Sequence, residues 1–150
     1  MNQRQADNMY MAICDIIAEQ SYAKRAKVGA VLVKDNNIIS FGFNGMPSKF
    51  DNCCEYVDEN GEMHTKCEVL HAESNALMKL CKTGSCSSNG ATLYCTYSPC
   101  IDCAKMIVQA GLHRVVYRHR YRTTEGLTLL QNAGIIVEQF ESEQNDVLYE

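Results

Sequence analysis

Three features that often mark a specialised protein are missing from this chain: a long apolar run, an internal repeat and an excess of positive charge. No stretch approaches the roughly 20 apolar residues that a membrane-spanning helix needs. Residues 1–20 mix polar, charged and apolar side chains and contain no apolar segment typical of a secretory signal. We therefore expect a protein that stays in the cytoplasm and has no membrane partner.

The balance of charge argues against a nucleic acid as the ligand. Fourteen Lys and Arg residues against eighteen Asp and Glu residues give a formal net charge of −4. Proteins that hold nucleic acids through phosphates usually present a basic face. Arg114, Arg118, Arg120 and Arg122 are close enough in sequence to form a local basic patch. Such a patch also suits a single phosphate group.

The number of cysteines excludes an ordinary disulfide scaffold. Secreted disulfide-rich domains carry an even number of cysteines, whereas this chain has nine and no secretory segment. In a reducing cytoplasm thiols stay free, so clustered cysteines indicate metal binding. Cys14, Cys81, Cys86 and Cys95 lie outside the motifs described below, and we interpret them as small core or surface residues.

The 150 residues suit one compact domain, which we expect to cover 1–150. Apolar spacing predicts helices over 3–19, 71–82, 99–110 and 124–133, and strands over 28–33, 38–43, 91–97, 114–118 and 135–140. Pro99 is expected at the first helical position and Gly111 just beyond the helix end. Residues 44–69 have no period and are predicted as a long loop, which is usually functional. Alternating strands and helices after residue 70 predict an α/β domain with parallel strand pairs.

Two cysteines at the start of an expected helix form the first candidate metal-binding motif. Cys100 and Cys103 are three positions apart, so they lie on one face of a helix. The positive end of the helix dipole favours the thiolates that zinc requires. A C-x-x-C pair is also compatible with a redox role. However, His71 stands at another expected helix start, where it can face the same space as a third ligand.

Glu73 is the residue that favours a catalytic zinc site over a structural one. Structural zinc sites have four protein ligands, whereas catalytic sites keep one position for water. Glu73 follows His71 by two residues, so on a regular helix it points elsewhere and can reach that water. Zinc lowers the pKa of bound water to about 7. A neighbouring carboxylate can then accept its proton and pass it on.

Each of these residues has a simpler interpretation when it is taken alone. A lone histidine such as His71 is more often a hydrogen-bonded core residue, and a lone Glu73 is usually a solvated helix carboxylate. The zinc itself could also be purely structural. The combination of all four residues on two helix starts makes the catalytic interpretation the more specific one.

The two motifs match a known signature. His71-Ala72-Glu73 and Pro99-Cys100-Ile101-Asp102-Cys103 fit the H-x-E and P-C-x-x-C pattern of zinc deaminases. On this basis the chain resembles the cytidine deaminase-like superfamily and, within it, the deoxycytidylate (dCMP) deaminases of bacteria and their viruses. The resemblance implies a three-layer α/β/α fold with a mixed central sheet of about five strands. Further matching stretches are Val28-Gly29-Ala30-Val31, Gly42-Phe43-Asn44-Gly45-Met46-Pro47, Ser74-Asn75-Ala76 and Thr96-Tyr97-Ser98.

Details of the motifs separate this chain from neighbouring subfamilies. The tRNA adenosine deaminases usually carry Glu before Pro-Cys, where this chain has Ser98. Free-cytidine deaminases usually lack an N-G-x-P stretch such as Asn44–Pro47. The alternatives left open are a free cytidine or deoxycytidine deaminase, a tRNA adenosine deaminase and, outside enzymes, a zinc-stabilised nucleotide- or nucleic-acid-binding module.

The resemblance also implies roles in the reaction. A zinc-bound hydroxide attacks C4 of cytosine, and Glu73 moves protons from the water to N3 and to the departing ammonia. The products are dUMP and ammonia, and dUMP feeds thymidylate synthesis. The N–H of Ala72 and the carbonyl of Ser98 read the base edge. Asn44 binds the sugar or base, although an Asn before Gly is often only a turn residue.

The 5′-phosphate requires hydrogen-bond donors. By its position in the family pattern, Tyr121 is the expected phosphate ligand. Arg25 or Arg122 supplies positive charge for the phosphate. The alternative interpretation of each arginine is an exposed surface residue without a role in binding. Ser21 and Lys24 are weaker candidates.

The resemblance further implies regulation and assembly. The dCMP deaminases are typically homo-hexamers that are activated by dCTP with Mg²⁺ and inhibited by dTTP. Gly42, Asn44 and Lys82 fall at positions where the family pattern suggests contacts with the regulatory nucleotide. Nothing in the composition indicates this second site.

A second metal site is the last expectation. Some viral relatives hold a structural zinc that uses a cysteine just after the position of Ser21, where this chain has Tyr22. The remaining possible ligands lie in the expected long loop. They are Cys53, Cys54, His64 and Cys67. Whether these four bind a zinc among themselves stays open, so one catalytic zinc is expected.

Overall fold

A computed structural model describes residues 1–84 and 86–141 of the chain. Its helices are α1 (Gln3–Ala18), α2 (Ala72–Thr83), α3 (Ile101–Gln109) and α4 (Glu125–Asn132). Its strands are β1 (Gly29–Lys34), β2 (Asn37–Phe43), β3 (Glu55–Val57), β4 (Met63–Thr65), β5 (Thr92–Tyr97), β6 (Arg114–His119) and β7 (Ile136–Gln139). The single domain expected over 1–150 includes residues 142–150, which lie outside the described residues.

The central sheet has five strands in the order β2-β1-β5-β6-β7. β1 pairs antiparallel with β2 and with β5, whereas β5, β6 and β7 run parallel. Asp35 and Asn36 adopt positive φ angles of 50° and 63°, so they form the tight turn that joins β1 to β2. The parallel pairs are as the alternation of strands and helices predicts, and the mixed five-stranded sheet is as the family resemblance implies.

Helices cover both faces of this sheet, which gives the three expected layers. Because side chains alternate along a strand, Ala30 and Leu32 of β1 face one side while Val31 and Val33 face the other. The first pair packs in a core with α2, α3 and α4. The second pair packs against α1. Cys14 and Cys95 are completely buried, and Cys81 and Cys86 are exposed, in line with their interpretation as core and surface residues.

Two sequence-based predictions of local structure were wrong. The expected loop 44–69 contains a hairpin of β3 and β4, whose turn has Gly61 at a φ of 79°. Strands of three residues are too short to show a period. Pro99 does not occupy the first helical position, because Cys100 is the N-cap and α3 begins at Ile101. Gly111 follows the helix with a φ of 75°, as expected.

Within residues 1–84 and 86–141, none of the helices combines the length and the apolar character that crossing a bilayer requires.

Candidate active site

The candidate ligands lie at two neighbouring helix starts. His71 is the N-cap of α2 and Cys100 is the N-cap of α3, both with extended backbone. Cys103 occupies the third helical position of α3. Pro99 disfavours helical geometry at the residue before it, so the chain leaves β5 extended before it enters α3. Both helix N-termini therefore direct their partial positive charge at the same spot, which stabilises thiolates.

The three side chains meet in a geometry that fits zinc. Nδ1 of His71 lies 3.4 Å from Sγ of Cys100 and 3.4 Å from Sγ of Cys103. All three ligand atoms lie within 4.8 Å of one another. A tetrahedral zinc with usual Zn–S and Zn–N bonds places such atoms about 3.5 Å apart. One nitrogen and two sulfurs suit this ion, and three protein ligands leave one coordination position open.

The cluster carries protons that a metal would replace. The Cys103 thiol donates a hydrogen bond to Cys100, and this bond and His71 lower the pKa of Cys100 to about 4. The same bond to Cys100, together with burial, raises the pKa of Cys103 well above its usual 9.0. The contact with Cys100 also raises the pKa of His71 above 6.5. Zinc binding therefore requires deprotonation of Cys103 and, at low pH, of His71.

Glu73 lies in the first turn of α2 beside these ligands. Its side chain is almost completely buried, and this burial raises the pKa of its carboxyl group above 4.5. The Cys103 thiol also contacts the carboxylate through a hydrogen bond. A buried carboxyl with a raised pKa next to an open metal position is suited to exchanging protons with a bound reactant.

A cavity of about 430 Å³ opens above this cluster. The cluster forms the base of the cavity through His71, Glu73 and Cys100. The remaining walls come from Ala23, Arg25, Ala26, Val28, Asn44, Glu55, Thr65, Val69, Ala72, Tyr97, Ser98, Arg120, Tyr121 and Arg122. This volume is in the usual range for pockets that bind small molecules.

The weaker candidates Ser21 and Lys24 are not among the lining residues, whereas all six main candidates for substrate contact line this cavity. They are Arg25, Asn44, Ala72, Ser98, Tyr121 and Arg122. Ser98 is buried, and its Oγ accepts a hydrogen bond of 2.7 Å from the backbone N–H of Tyr121. Ser98 therefore fixes the segment that carries the aromatic ring at the cavity wall. The contacts of these residues with a substrate stay predictions.

Asn44 is held in place by the segment that precedes β1. Its Oδ1 accepts a hydrogen bond of 2.9 Å from the N–H of Val28. Its Nδ2 donates one of 2.8 Å to the carbonyl of Ala26. The amide thus has a structural role and lines the cavity as well. Its role in binding a sugar or base is compatible with this position and stays a prediction.

The residues assigned to a regulatory nucleotide lie away from the cavity, except Asn44. Gly42 is buried in β2, where an added Cβ would lie 2.6 Å from the carbonyl oxygen of Ala72. Close packing of β2 against α2 therefore explains this glycine. Lys82 is exposed in the last turn of α2. The regulatory role of these residues stays a prediction.

The four arginines considered as a basic patch do not act as one group. Arg114 is buried and pairs with Asp7 at 2.8 Å and with Glu138. Arg118 pairs with Asp15 at 2.6 Å. These two arginines therefore tie α1 and β7 to the sheet. Arg120 and Arg122 line the cavity, in the segment that contains Tyr121.

The possible ligands of a second zinc are not brought together. Within the described part of the chain, no three of the four residues Cys53, Cys54, His64 and Cys67 have ligand atoms within 4.8 Å of one another. His64 instead lies 2.7 Å from the carboxylate of Asp58. The described structure therefore offers no second cysteine-containing cluster of this size.

Sequence reasoning missed several residues of the cavity wall. Glu55 and Thr65 come from β3 and β4, and Val69 follows them. Their only signal was the unusual length of segment 44–69, because strands of three residues show no pattern. Tyr97 is next to Ser98, but nothing in its own type marked it, and Arg120 was considered only as a member of the possible basic patch.

Comparisons with known proteins agree with this geometry. Residues 4–119 match the family described as the cytidine and deoxycytidylate deaminase zinc-binding region. The deoxycytidylate deaminase of Enterobacteria phage T4 is 34% identical, with 85% of this chain and 86% of that protein covered. The deoxycytidylate deaminase of Saccharomyces cerevisiae is 37% identical over 89% of this chain. The chain spans only 44% of that yeast protein, less than half of its length.

A solved structure is similar over almost its whole length. The dCMP deaminase of cyanophage S-TIM5, solved in complex with dCMP and dUMP, is 46% identical and has a TM-score of 0.85. The match covers 93% of this chain and 99% of that one. The fold is therefore the cytidine deaminase-like fold. The chain belongs to the cytidine and deoxycytidylate deaminase zinc-binding family.

Proposed function

We propose that this protein deaminates dCMP hydrolytically to dUMP and ammonia. The observation that carries the proposal is the cluster of His71, Cys100 and Cys103, with the buried Glu73 beside it, at the base of a cavity that can hold a nucleotide. The similarity to a phage dCMP deaminase that binds both dCMP and dUMP supports the choice of substrate and product.

His71, Cys100 and Cys103 hold the zinc in this proposal. When bound, zinc supplies a Lewis acid that lowers the pKa of water to about 7. Three ligands on two helix starts fix its position, and the burial of Cys103 limits access of bulk water. The open position would hold the water, and the pyrimidine would lie in the cavity next to it.

Glu73 moves the protons of the reaction. It accepts a proton from the attacking water and delivers it to N3 of the base, while the C4–O bond forms. It then accepts the proton of the new C4 hydroxyl and delivers it to the amino group, so that the C4–N bond breaks and ammonia leaves. Burial raises the pKa of Glu73, which favours uptake of a proton by its carboxylate.

Backbone groups at the cavity base orient the pyrimidine. The N–H of Ala72 lies in the first turn of α2, where helix N–H groups lack intrahelical acceptors. It is therefore available to the pyrimidine ring. The carbonyl of Ser98 serves as the acceptor. Asn44 contacts the sugar or base. The phosphate binds at Tyr121, with Arg25 or Arg122 supplying positive charge.

Regulation and assembly extend the proposal. The dCMP deaminase subfamily suggests a homo-hexamer that dCTP with Mg²⁺ activates and dTTP inhibits. Gly42, Asn44 and Lys82 are the proposed contacts of that regulatory nucleotide. Activity measured with added dCTP or dTTP tests this part, and the absence of any response refutes it.

A direct ultraviolet assay with four substrates tests the proposed reaction. Purified protein is incubated in parallel with dCMP, dCTP, deoxycytidine and cytidine, and conversion to the uracil product is followed. We expect turnover of dCMP to dominate. Turnover of deoxycytidine without turnover of dCMP would refute the nucleotide as substrate and favour a nucleoside deaminase.

A further inference from the structure

Glu55 is an acidic residue in the cavity wall with no assigned role. It is the first residue of β3 and is 8% exposed. Its Oε1 accepts two backbone hydrogen bonds, one of 2.7 Å from the N–H of Lys24 and one of 3.2 Å from the N–H of Arg25. One carboxylate oxygen thus joins the small hairpin to the segment that precedes β1. The guanidinium of Arg25 donates instead to Thr65, at 3.3 Å.

The second carboxylate oxygen of Glu55 is available to a ligand. Across residues 1–84 and 86–141, Oε2 has neither a hydrogen-bond partner nor a cation within ion-pair distance. No buried side-chain oxygen in this part of the chain lacks a partner, so Oε2 must be accessible. Glu55 lines the same cavity as His71 and Glu73.

The chemistry of the nucleotide limits what this oxygen can bind, provided that the proposed function holds. A carboxylate repels the phosphate. Of the two proposed positive partners of the phosphate, Arg122 belongs to another segment of the wall, and the guanidinium of Arg25 donates to Thr65 and not to Glu55. A carboxylate accepts hydrogen bonds, and dCMP has two neutral donor groups, the amino group and the 3′-hydroxyl. The amino group must lie at Glu73 and the zinc ligands, where it is replaced. The 3′-hydroxyl is the donor that remains.

We propose that Glu55 accepts a hydrogen bond from the 3′-hydroxyl of the sugar and thereby selects nucleotides in which this hydroxyl is free. A phosphorylated 3′ position would bring a second anion against the carboxylate. The residue therefore discriminates against nucleotides that lack the hydroxyl and against internal positions of a nucleic-acid strand, where the 3′ oxygen is esterified.

Comparison of dCMP with 2′,3′-dideoxycytidine 5′-monophosphate tests the inference in the wild type and in Glu55→Gln. The amide oxygen of Gln can still accept from the N–H groups of Lys24 and Arg25, so the local structure is kept. Its NH₂ group replaces the free acceptor. We expect the wild type to prefer dCMP in kcat/KM by roughly 10- to 100-fold, as for loss of a charge-assisted hydrogen bond.

In Glu55→Gln we expect the preference to fall to about threefold or less, mainly through a loss of kcat/KM for dCMP. Glu62→Gln is the matched control, since Glu62 is exposed in the same hairpin and lies outside the cavity wall. It should keep the wild-type preference. Equal use of both nucleotides by the wild type, or the same preference in the wild type and Glu55→Gln, would overturn the inference.

A binding measurement separates this inference from the proposed reaction. Calorimetric titration compares dUMP with 2′,3′-dideoxyuridine 5′-monophosphate on the zinc-loaded wild type and on zinc-loaded Glu55→Gln. A preference for dUMP in the wild type that is lost in Glu55→Gln supports the role of Glu55 in the wall, and equal affinity of the wild type for both nucleotides refutes it. A wild type that does not turn over dCMP contradicts the proposed function. The binding comparison still tests the contact between Glu55 and the 3′-hydroxyl in that case.

Discussion

Two clusters of possible metal ligands have similarly close ligand atoms but differ in ligand type and in location. The thiolate cluster comprises His71, Cys100 and Cys103, and the hairpin cluster comprises Asp58, Glu62 and His64. In both, the ligand atoms lie within 4.8 Å of one another. The thiolate cluster sits on two helix starts at the base of a cavity. The hairpin cluster lies around an exposed turn between two strands of three residues each.

In the hairpin cluster the side chains of Asp58 and His64 already pair with each other. Asp58 accepts hydrogen bonds from the backbone N–H groups of Asn60 and Glu62 through Oδ1, and Oδ2 lies 2.7 Å from Nε2 of His64. The ring of His64 stacks on Tyr56 at 5.3 Å. This cluster therefore stabilises a turn. The comparison teaches that soft ligands, helix dipoles and an adjacent proton carrier distinguish a metal centre from a group of polar neighbours.

Removal of one thiolate should have the largest effect. In Cys103→Ala the zinc loses one of three ligands, so we expect metal content to fall from about one per chain to near zero. Deaminase activity should fall by roughly 10⁴-fold, since metal activation of water contributes several kcal/mol to the reaction. Metal analysis and the ultraviolet assay measure both effects. Full zinc content in this variant would contradict the ligand assignment.

Glu73→Gln separates metal binding from proton transfer. The amide has almost the same shape but cannot exchange a proton, so kcat should fall by roughly 10³-fold. Zinc content should stay near one per chain, unlike in Cys103→Ala. Glu68→Gln is a control, because Glu68 is exposed and outside the cavity wall. Full activity of Glu73→Gln would disprove the proton-transfer role.

Zinc affinity should depend strongly on pH. The pKa of Cys103 is raised above 9.0, so zinc must displace a proton from this thiol throughout the neutral range. The pKa of His71 is raised above 6.5, so acid adds a second proton to displace. Uptake of zinc by the metal-free protein should therefore release at least one proton at both pH 6 and pH 8. Affinity therefore rises with pH.

Titration of the metal-free protein with zinc in weak buffer, followed with a pH indicator, counts the released protons. Glu73→Gln serves as the matched variant, since it retains all three ligands and removes the neighbouring carboxyl. A zinc affinity that does not change between pH 6 and pH 8 would contradict the protonated state of the cluster.

Packing of α4 against the α3 start should matter to a smaller degree. A Cβ on Gly126 would lie 2.2 Å from the carbonyl oxygen of Pro99 and 2.9 Å from that of Cys100. Gly126→Ala therefore has to displace the ligand segment. We expect a loss of about 1–3 kcal/mol in unfolding free energy from overpacking. Zinc affinity should fall by roughly tenfold, as is typical when residues that hold a metal ligand in position are altered.

Gly45→Ala is the control for this packing effect, because no atom lies within 4 Å of a Cβ built at Gly45 and its φ is not positive. Denaturant unfolding and a competitive zinc titration compare the two variants. Equal zinc affinity in Gly126→Ala and the wild type would show that α4 does not support the ligand segment.

The smallest effect is expected in the hairpin cluster. His64→Ala removes the partner of Asp58 from an exposed turn. Zinc content should stay near one per chain and the thermal midpoint should barely change, since exposed ion pairs contribute little to stability. A loss of bound metal in this variant would show that the hairpin cluster is a metal site after all.

Prediction from sequence succeeded where a short motif or a long period carried the information. Spacing alone predicted that His71, Cys100, Cys103 and Glu73 lie close together, because helix starts fix the directions of side chains near them, and the structure brings them together. Spacing also gave the four helices and the five strands of the main sheet, with end points within one or two residues in most cases. The sequence patterns did not predict the β3–β4 hairpin or the position of Glu55 in the cavity wall.

The arginines show the other limit of sequence reasoning. Arg114 and Arg122 are the same residue type and only eight positions apart. One is buried and paired with Asp7, whereas the other lines the cavity. Nothing local to either residue indicates this difference. It depends on α1, which crosses the sheet and places Asp7 beside Arg114 from more than one hundred residues away.

The sequence by itself determined which side chains meet at the base of the cavity, because H-A-E and P-C-x-x-C are local patterns whose geometry follows from helix starts. Only the tertiary structure decided which polar residues surround them. The walls come from segments far apart in the chain, and burial, pairing and accessibility arise when those segments pack. For this reason only the folded molecule shows Glu55 in the cavity wall, and the proposed contact with the sugar follows from that position.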